Sequence, residues 1–313
     1  MNTATREAYG KALVALGEVN KDVVVLDADL SKSTKTADFG KRYPERFFNM
    51  GVAEQNLLAT ATGLALSGKI PFASSFAVFA TGRAFEQIRN SIAYPKANVK
   101  IAASHAGITV GEDGASHQSV ADIAIMRALP NMAVVVPSDG PETAAVVRAI
   151  ASYQGPVYLR LGRMAVPDLH GPDYNFSLGR ADLLRPGKDA AVLACGVMVS
   201  AALEAANSLA ERGIEARVLN VSTIKPLDQD AVLAAARETG ALVTAEEHSV
   251  IGGLGGAVAE FLSGVYPVPL ARVGLKDTFG ESGSPEELLE KYGLTADQIV
   301  AAVERVMELK RRY

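Results

Sequence analysis

The feature that most constrains the fold is an alternation of short β-branched segments with longer segments rich in Ala and Leu, repeated along the whole chain. Residues 23–26 and 190–194 have the length and composition of buried strands, and residues 200–212 have those of a helix. Strands that alternate with helices build a mainly parallel sheet with helices on its faces. The sequence therefore predicts an α/β fold.

The alternation is interrupted once, between residues 166 and 187, where the periodicity fails and three prolines occur. We interpret this segment as a linker. It separates a first domain, residues 1–165, from a second domain, residues 188–313, and a chain of 313 residues is long enough for two domains with a core each. Each domain is predicted to be a mainly parallel sheet flanked by helices.

Composition narrows the classes of function. The net charge is -4 and no long run of Lys or Arg is present, so we expect no nucleic acid partner. The single cysteine, Cys195, falls in an apolar run and has no partner for an intrachain disulfide, which fits a reducing cytoplasm. The N-terminus lacks the regions of a signal peptide, and no apolar run is long enough to span a bilayer. We therefore expect a cytoplasmic protein without membrane contact.

Glu54 is the most informative single residue. A short apolar segment ends at Gly51, and the following helix, which ends near Ser67, places the Glu54 carboxyl group in its first turn. Because Ala and Leu occur nearly all round this helix, we expect it to be buried on every side. A carboxyl group at the entrance of a buried helix suits acid–base chemistry. A helix-capping role is the alternative.

A second group of candidate residues lies in the glycine-rich segment 104–118. Loops at the carboxyl ends of parallel strands bind ligands in open α/β sheets, so we expect this segment to face residues 27–33, residues 74–79 and Glu54. Two histidines with carboxylates between them indicate a surface that handles substrate. No His pair at i,i+4 spacing and no Cys cluster accompanies them, and we predict no metal ligand in this chain. The residues concerned are His105, Glu112, Asp113 and His117.

Two further sets of side chains suit ligand binding. Phe76 and Phe79 have rings that can stack on a planar group, although aromatic residues at this spacing are common in cores. Arg6, Ser33 and Arg163 have the donors that a phosphate group requires, although each alone is typical of a protein surface.

Two histidines fall outside these groups. His170 lies in the linker, and we expect it to be solvated. His248 follows two glutamates at the end of a predicted strand of the second domain, where a local hydrogen bond is expected rather than catalysis.

Taken together, these segments resemble the C-terminal half of transketolase. The resemblance continues more weakly through Lys225-Pro226-Leu227 and Glu246-Glu247-His248. It implies a pyrimidine-binding domain over residues 1–165, followed by the transketolase C-terminal domain. The strings that carry the resemblance, in the order of that family, are Ala4-Thr5-Arg6, Asp27-Ala28-Asp29-Leu30, Gly51-Val52-Ala53-Glu54-Gln55, Ser75-Phe76-Ala77-Val78-Phe79 and Gly111-Glu112-Asp113-Gly114-Ala115-Ser116-His117-Gln118.

The resemblance also implies a cofactor, thiamine diphosphate, and roles for the matching residues. Glu54 matches the glutamate that hydrogen-bonds the aminopyrimidine ring of this cofactor and promotes its imino tautomer. Phe76, Phe79 and Asp29 match residues that surround the cofactor. The catalytic residues implied are Glu54, His105 and His117. The residues implied to contact a sugar phosphate are Arg6, Ser33, His105, Asp113, His117 and Arg163.

One part of the family pattern is missing from this chain. The motif that holds the metal and the diphosphate, Gly-Asp-Gly followed by Asn, does not occur, and the chain begins where the pyrimidine-binding domain begins. We therefore expect an N-terminal transketolase subunit that carries Gly-Asp-Gly to bind the diphosphate and Mg²⁺ or Ca²⁺. We expect this chain to form homodimers within an α2β2 assembly and to be inactive alone. The function implied is transfer of a two-carbon ketol unit from a ketose phosphate to an aldose phosphate.

Other functions are weighed against this one. The β subunit of a 2-oxo acid dehydrogenase E1 has a similar length and glutamate, but it does not require the loop 113–117 or residues that bind phosphate. Deoxyxylulose-phosphate synthase shares the Asp-Gly-x-x-His-Gln pattern, but the spacing from His105 to Asp113 favours transketolase. A regulatory subunit without activity is a third alternative. A dinucleotide-binding dehydrogenase is disfavoured because the glycines of residues 252–257 lack its full fingerprint and are better explained by close helix–strand packing.

Overall fold

The strands of the protein form two large sheets and one small ribbon. The computed structural model describes residues 1–312. The strands are β1 (Asn2–Ala4), β2 (Val23–Asp27), β3 (Phe47–Asn49), β4 (Ile70–Phe76), β5 (Lys100–Ser104), β6 (Ala133–Val135), β7 (Val157–Arg160), β8 (Ala165–Pro167), β9 (Asp182–Arg185), β10 (Ala190–Ala194), β11 (Ala216–Asn220), β12 (Thr223–Lys225), β13 (Leu242–Ser249) and β14 (Leu270–Leu275).

Helices cover the faces of the sheets. Short 3₁₀ turns occur at Pro44–Arg46 and Ile108–Val110, and a π-helical turn occurs at Ile88–Ala93. The α-helices are α1 (Thr5–Val19), α2 (Ser31–Thr34), α3 (Ala37–Arg42), α4 (Glu54–Leu66), α5 (Ala77–Arg83), α6 (Phe85–Gln87), α7 (Asp122–Arg127), α8 (Gly140–Ser152), α9 (Met198–Glu211), α10 (Gln229–Thr239), α11 (Leu254–Val265), α12 (Pro285–Lys291) and α13 (Ala296–Lys310). None of the helices within residues 1–312 is long and apolar enough to cross a membrane.

The first sheet has the strand order β12-β6-β7-β5-β4-β2-β3 and is parallel except at β12. Its central strands are buried along their whole length, as expected for a parallel sheet with helices on both faces. The carboxyl ends of β2, β4 and β5 are adjacent, so the segments that follow these strands meet at one edge of the sheet. This edge carries most of the residues predicted from the sequence.

The second sheet has the strand order β14-β13-β10-β11-β9 and is parallel except at β9. A separate antiparallel ribbon pairs β1 with β8, with Asn2 opposite Pro167. The prediction of an α/β fold with two mainly parallel sheets flanked by helices is therefore confirmed. The sequence analysis did not foresee β9, which lies within the segment 166–187, or β12, which follows β11 but joins the first sheet.

One hydrophobic cluster runs between the two sheets. It contains Leu26 and Ile101 from the first sheet together with Leu193 and Leu219 from the second, and each of these side chains is at most 5% exposed. Burial of a side chain of this size contributes roughly 1.5–3 kcal/mol. Apolar packing and the pairing of β12 with β6 therefore both join the second sheet to the first.

Helix α4 differs from its expected environment. Its buried residues recur at the spacing of a single helical face, because the helix packs on the first sheet through that face only. The opposite face is open, and Leu66 is 72% exposed. The prediction that α4 is buried on every side is wrong, since small Ala residues tolerate exposure as well as burial. The buried residues are Glu54, Leu57, Leu58, Ala61 and Thr62, and the exposed residues include Gln55, Asn56, Ala59 and Gly63.

Candidate active site

The loop after β2 is organised by a buried carboxylate that the sequence analysis did not single out. Asp27 accepts a hydrogen bond from the Leu30 amide at 2.6 Å through Oδ1, and from the hydroxyl groups of Thr34 and Thr36 at 2.6 and 2.9 Å through Oδ2. Burial raises the pKa of Asp27, and these hydrogen bonds oppose the shift. The carboxylate holds the turn that presents Asp29 and leads into α2.

Asp29 itself lies at the surface of this turn. Its backbone is left-handed, with φ of 63°, and its Oδ1 accepts a hydrogen bond from Asn49 Nδ2 at 2.9 Å. Val52, two residues before the start of α4, is 73% exposed. Asp29 therefore lies on the side of the first sheet that also carries the start of α4.

Glu54 is the first residue of α4 and is only 4% exposed. Its Oε1 accepts a hydrogen bond of 2.9 Å from Arg83 Nη1, at the end of α5. The side-chain amide of Gln55 donates to the Arg83 carbonyl at 3.1 Å, which holds the two helices together. Glu54 and Arg83 line a surface depression of about 480 Å³, whose other lining residues are the neighbours of Glu54 within residues 52–56. Glu54 is thus a buried carboxylate that a ligand can approach from this depression.

An aromatic stack lies next to this depression. The Phe76 ring, at the end of β4, stacks on the His105 imidazole with centroids 3.8 Å apart, and on the Phe79 ring at 5.8 Å. His117 contacts Phe79 edge-on at 5.2 Å, and the Arg83 guanidinium carbon lies 4.1 Å from the Phe79 centroid. The structure therefore joins both predicted aromatic residues and both predicted histidines into one contact chain that begins at Arg83.

His105 has a defined tautomer. Its Nε2 lies 3.0 Å from Arg6 Nη1, and its Nδ1 lies 2.9 Å from Ser104 Oγ. Because a guanidinium group only donates, Nε2 accepts and the ring proton lies on Nδ1. Burial, with the positive charges of Arg6 and Arg163, lowers the pKa of His105 to about 3. The imidazole is therefore neutral at physiological pH.

Arg6 has the contacts of an anion-binding residue. Besides His105, Nη1 also donates to the Ser33 carbonyl at 3.1 Å. Its Nε is buried and finds no hydrogen-bond partner within residues 1–312. An unsatisfied buried donor of a guanidinium group is the kind of group that an anionic ligand satisfies. The structure therefore brings Arg6, Ser33 and His105 into contact.

Arg163 lies beside the loop that follows β5. It donates to the Val110 carbonyl and lies 3.5 Å from Asp113 Oδ2 and 3.7 Å from Glu112 Oε2. Asp113 is exposed, and His117 is half-buried with its Nδ1 2.9 Å from Ser116 Oγ. The structure thus places Arg163 and Asp113 in contact with each other, rather than with separate partners.

The same loop is supported from the second sheet. Glu247, on β13, accepts a hydrogen bond of 2.6 Å from the Thr109 amide. Its carboxyl group packs directly on Gly107, whose φ is +79° and where any Cβ atom would overlap Glu247. Gln118 donates from Nε2 to the Glu281 carbonyl at 2.8 Å. Sequence reasoning missed these contacts, because no local pattern links residues so far apart in the chain.

The Glu246 carboxylate explains the neighbouring glycines. It accepts hydrogen bonds from the amides of Leu254 and Gly255 at 2.7 and 2.8 Å, so it fills the N-terminus of α11. A Cβ atom at Gly253 would overlap Glu246. The glycines therefore serve close helix–strand packing, as expected. His248 forms one local hydrogen bond, from Nδ1 to the Ser249 carbonyl, and its Nε2 accepts a second from the amide of Ala124, which is distant in the chain.

One group of three side chains within residues 1–312 has the composition of a metal site: Asp139, Glu142 and His170. Asp139 caps α8 through Oδ1, and its Oδ2 accepts from the Leu169 amide and from the backbone amide and Nδ1 of His170 at 2.6–2.9 Å. The His170 side chain is 6% exposed, so the expectation that it is solvated is wrong. The hydrogen bonds to Asp139 hold the His170 side chain inside the protein. The group forms an internal hydrogen-bond network between the first sheet and residues 166–187.

Comparison with known protein families decides the assignment of the chain. A family model for the transketolase pyrimidine binding domain matches residues 1–168, and one for the transketolase C-terminal domain matches residues 179–299. The chain belongs to the transketolase family. The family as a whole implies the use of thiamine diphosphate.

Individual relatives agree with this assignment. A putative transketolase C-terminal section from Methanocaldococcus jannaschii is 51% identical over 306 residues, covering 97% of this chain and 95% of the relative. A 6-deoxy-6-sulfo-D-fructose transketolase subunit from Clostridium sp. is 46% identical, with 97% and 95% covered.

Solved structures agree as well. A split gene transketolase, described as an inactive β4 tetramer, has a TM-score of 0.93 and 61% identity, with 98% of this chain and 99% of that chain covered. Transketolase from Leishmania mexicana has a TM-score of 0.83 and 28% identity, and only 46% of that chain is covered. This transketolase-family chain therefore corresponds to a separate subunit in some relatives and to about half of a longer chain in others.

The site of this transketolase-family chain fits one half of thiamine diphosphate. Glu54 offers a buried carboxylate, and Arg83 connects it to the half-buried ring of Phe79, an arrangement that suits a planar heterocycle with ring nitrogens. Among the described residues, the only group of three potential metal-ligating side chains is the Asp139 network, which does not include Glu54, Asp29 or Asp113. Glu54, Phe79 and Phe76 therefore fit the aminopyrimidine half of the cofactor.

Proposed function

We propose that this chain is the C-terminal subunit of a two-chain transketolase that moves a two-carbon ketol unit from a ketose phosphate to an aldose phosphate. The observation that carries this proposal is the continuous line of contacts from Glu54 to Arg6. It runs through Arg83, the stacked rings of Phe79 and Phe76, and His105. A carboxylate for a pyrimidine lies at one end of this line and a guanidinium for a phosphate at the other.

Each end of this line has its own task. Bound thiamine diphosphate supplies the nucleophilic carbon, and the protein positions it and moves protons. Glu54 holds or releases a proton at the pyrimidine ring nitrogen. His117 orients substrate hydroxyl groups, and the neutral His105 does so through Nε2 once Arg6 has turned to the phosphate. Phe76 and Phe79 form the aromatic wall beside the pyrimidine, and Asp29 lies on the cofactor side.

The phosphate group of the sugar is bound by the other end. Arg6 and Arg163 supply guanidinium donors, and Arg6 has a buried Nε free for an anion in the part of the chain described. Ser33 adds its hydroxyl group, and Asp113 accepts from a sugar hydroxyl once Arg163 has turned to the phosphate. The presence of these residues favours a sugar phosphate over the 2-oxo acid of an E1 β subunit.

A partner subunit completes the site. We propose that an N-terminal transketolase subunit with the Gly-Asp-Gly motif binds the diphosphate and Mg²⁺ or Ca²⁺, in an α2β2 assembly with paired copies of this chain. Support comes from the relative named as a C-terminal section and from the split gene transketolase, whose β4 tetramer is described as inactive. Alone, this chain is expected to associate with itself and to lack activity.

The test is reconstitution. This chain is mixed with an N-terminal transketolase subunit, thiamine diphosphate and magnesium, and ketol transfer is measured against pyruvate decarboxylation. Glu54→Gln is expected to lower turnover by at least about 100-fold without changing the assembly, whereas Glu18→Gln, at an exposed glutamate, leaves it unchanged. Turnover by this chain alone, or pyruvate decarboxylation in place of ketol transfer, would contradict the proposal.

A further inference from the structure

Arg83 makes two contacts at once inside the proposed pyrimidine site. Its Nη1 donates to Glu54 Oε1 at 2.9 Å, and its guanidinium carbon lies 4.1 Å from the centre of the Phe79 ring. The guanidinium group is planar and carries N–H donors at its edge. It therefore hydrogen-bonds the buried carboxylate and covers the aromatic ring in a single pose.

An aminopyrimidine needs the same two contacts. It is a planar ring whose edge meets a carboxylate and whose face packs on an aromatic ring. Because the Arg83 guanidinium group contacts both the Glu54 carboxylate, which lines the depression, and the Phe79 ring, the two planar groups compete for the same surfaces. In this structure Arg83 therefore occupies the place that the proposed function gives to the cofactor ring.

We infer that Arg83 holds the pyrimidine site closed in the partner-free chain and must swing out when thiamine diphosphate binds. This inference rests on the proposed function of Glu54. Arg83 acts as a positioning residue, since it keeps Glu54 and Phe79 in place until the cofactor ring replaces it.

The structure allows this exchange. Arg83 is the last residue of α5, and its side chain is 51% exposed, so the guanidinium group can move into water without unpacking the core. Glu54 is buried and keeps its place at the start of α4. The backbone of Arg83 stays attached through the Gln55 hydrogen bond, so only the side chain needs to rotate.

The consequence is a lower apparent affinity for the pyrimidine. When a site is open for only a fraction of the time, the apparent dissociation constant rises by the inverse of that fraction. Removing the Arg83 guanidinium group should therefore tighten pyrimidine binding, which is the opposite of what loss of a binding residue does. The direction of this change separates the inference from an ordinary binding role.

The experiment titrates the full chain, without its partner, with 4-amino-5-hydroxymethyl-2-methylpyrimidine and follows binding by ligand-observed NMR. Arg83→Ala is expected to bind this probe about fivefold or more tightly than the unmodified chain, and Arg83→Lys should fall between them. Arg89→Ala, which removes an exposed arginine whose guanidinium group hydrogen-bonds Asn90, should match the unmodified chain. Thermal unfolding checks that each variant is folded. If Arg83→Ala is not folded, Arg83→Gln is used in its place.

Two results would overturn the inference. One is equal or weaker binding by Arg83→Ala, which includes the case in which no variant binds the probe. The other is tighter binding that persists when Glu54→Gln is added to Arg83→Ala, because the probe would then lie elsewhere. Ketol transfer by the reconstituted two-chain enzyme is measured separately. If this activity is present but the binding results above are not, only the inference about Arg83 is wrong. If the activity is absent, the proposed function is wrong.

Discussion

Arg6 donates a hydrogen bond of 3.0 Å to Nε2 of His105, which ties the start of α1 to the loop after β5. The contact takes the only free lone pair of the imidazole and places a positive charge beside it. It therefore decides the tautomer of a residue that sequence reasoning assigns to the substrate, and together with burial it keeps that residue neutral.

The first prediction concerns the protonation of this imidazole. Burial and the charges of Arg6 and Arg163 lower the pKa of His105 to about 3. The ring should therefore stay neutral between pH 5 and 9, because every pH in this range is more than about one unit above the pKa. The ring ¹⁵N chemical shifts of His105, followed by NMR, should be constant over this range and show the proton on Nδ1. A titration midpoint near 6.5 would show that the Arg6 contact does not persist in solution.

The second prediction concerns the phosphate group of the substrate. Arg6→Lys keeps the positive charge but loses the planar set of guanidinium donors. In the unmodified chain, Nη1 of Arg6 contacts Ser33 and His105, and Nε remains for a ligand. We expect kcat/KM for a phosphorylated aldose to fall about 10- to 100-fold, as for loss of a charge-assisted hydrogen bond. The value for the unphosphorylated sugar should change little. Equal losses for both sugars would place Arg6 outside phosphate recognition, and Arg42→Lys, at an exposed arginine, is the control.

The third prediction concerns the support of the substrate loop by Glu247. Gly107→Ala should destabilise the protein by more than about 2 kcal/mol, because the new Cβ atom overlaps the Glu247 carboxyl group and the backbone has φ of +79°. Adding Glu247→Ala removes the overlap but leaves the Thr109 amide unpaired. The two changes should therefore couple by about 1 kcal/mol or more in a urea-unfolding cycle. Strictly additive effects would show that the two residues are not in contact.

Sequence reasoning could predict those parts of the site that follow strand ends in one sheet. Glu54, Phe76 and His105 lie at the start of a helix or the end of a strand, where spacing and family pattern locate them. It could not predict Arg83 as the partner of Glu54, because the pairing depends on the packing of α5 against α4 and not on any motif. The same holds for Glu247, which reaches Thr109 across a separation of 138 residues.

The fold, like the site, has features that can be predicted from local sequence patterns and features that depend on packing. The alternation of strands and helices predicts two parallel sheets, but strand β12 leaves the second unit to pair with β6 of the first. A three-residue strand carries too little periodicity to be recognised from sequence. The burial of α4 was overestimated for a related reason, since an Ala-rich helix has no polar stripe that marks its exposed face.

The fourth prediction concerns stability at high pH. Burial by itself lowers the pKa of His170, but the hydrogen bond to Asp139, the Asp182 carboxylate 3.7 Å away and the charge of Glu142 raise it to about 10 from an ordinary value of 6.5. The folded state therefore binds this proton more tightly than the unfolded state does. The resulting stabilisation is complete below pH 6.5 and is lost as the pH rises to 10.

The measurement compares the free energy of unfolding of the unmodified chain with that of His170→Asn between pH 6 and 10. The difference between the two proteins should be largest at pH 6 and should shrink steadily towards pH 10. A difference that is independent of pH would mean that His170 is neutral in the folded protein.

The position of Glu54 in the assembled enzyme is the central claim. The direct measurement is a crystal structure of this chain with its N-terminal partner subunit, thiamine diphosphate and magnesium. We predict that a Glu54 carboxylate oxygen lies about 3 Å from a ring nitrogen of the pyrimidine, with the Phe79 ring against the pyrimidine face. A pyrimidine bound elsewhere, or a Glu54 side chain turned to solvent, would contradict the account.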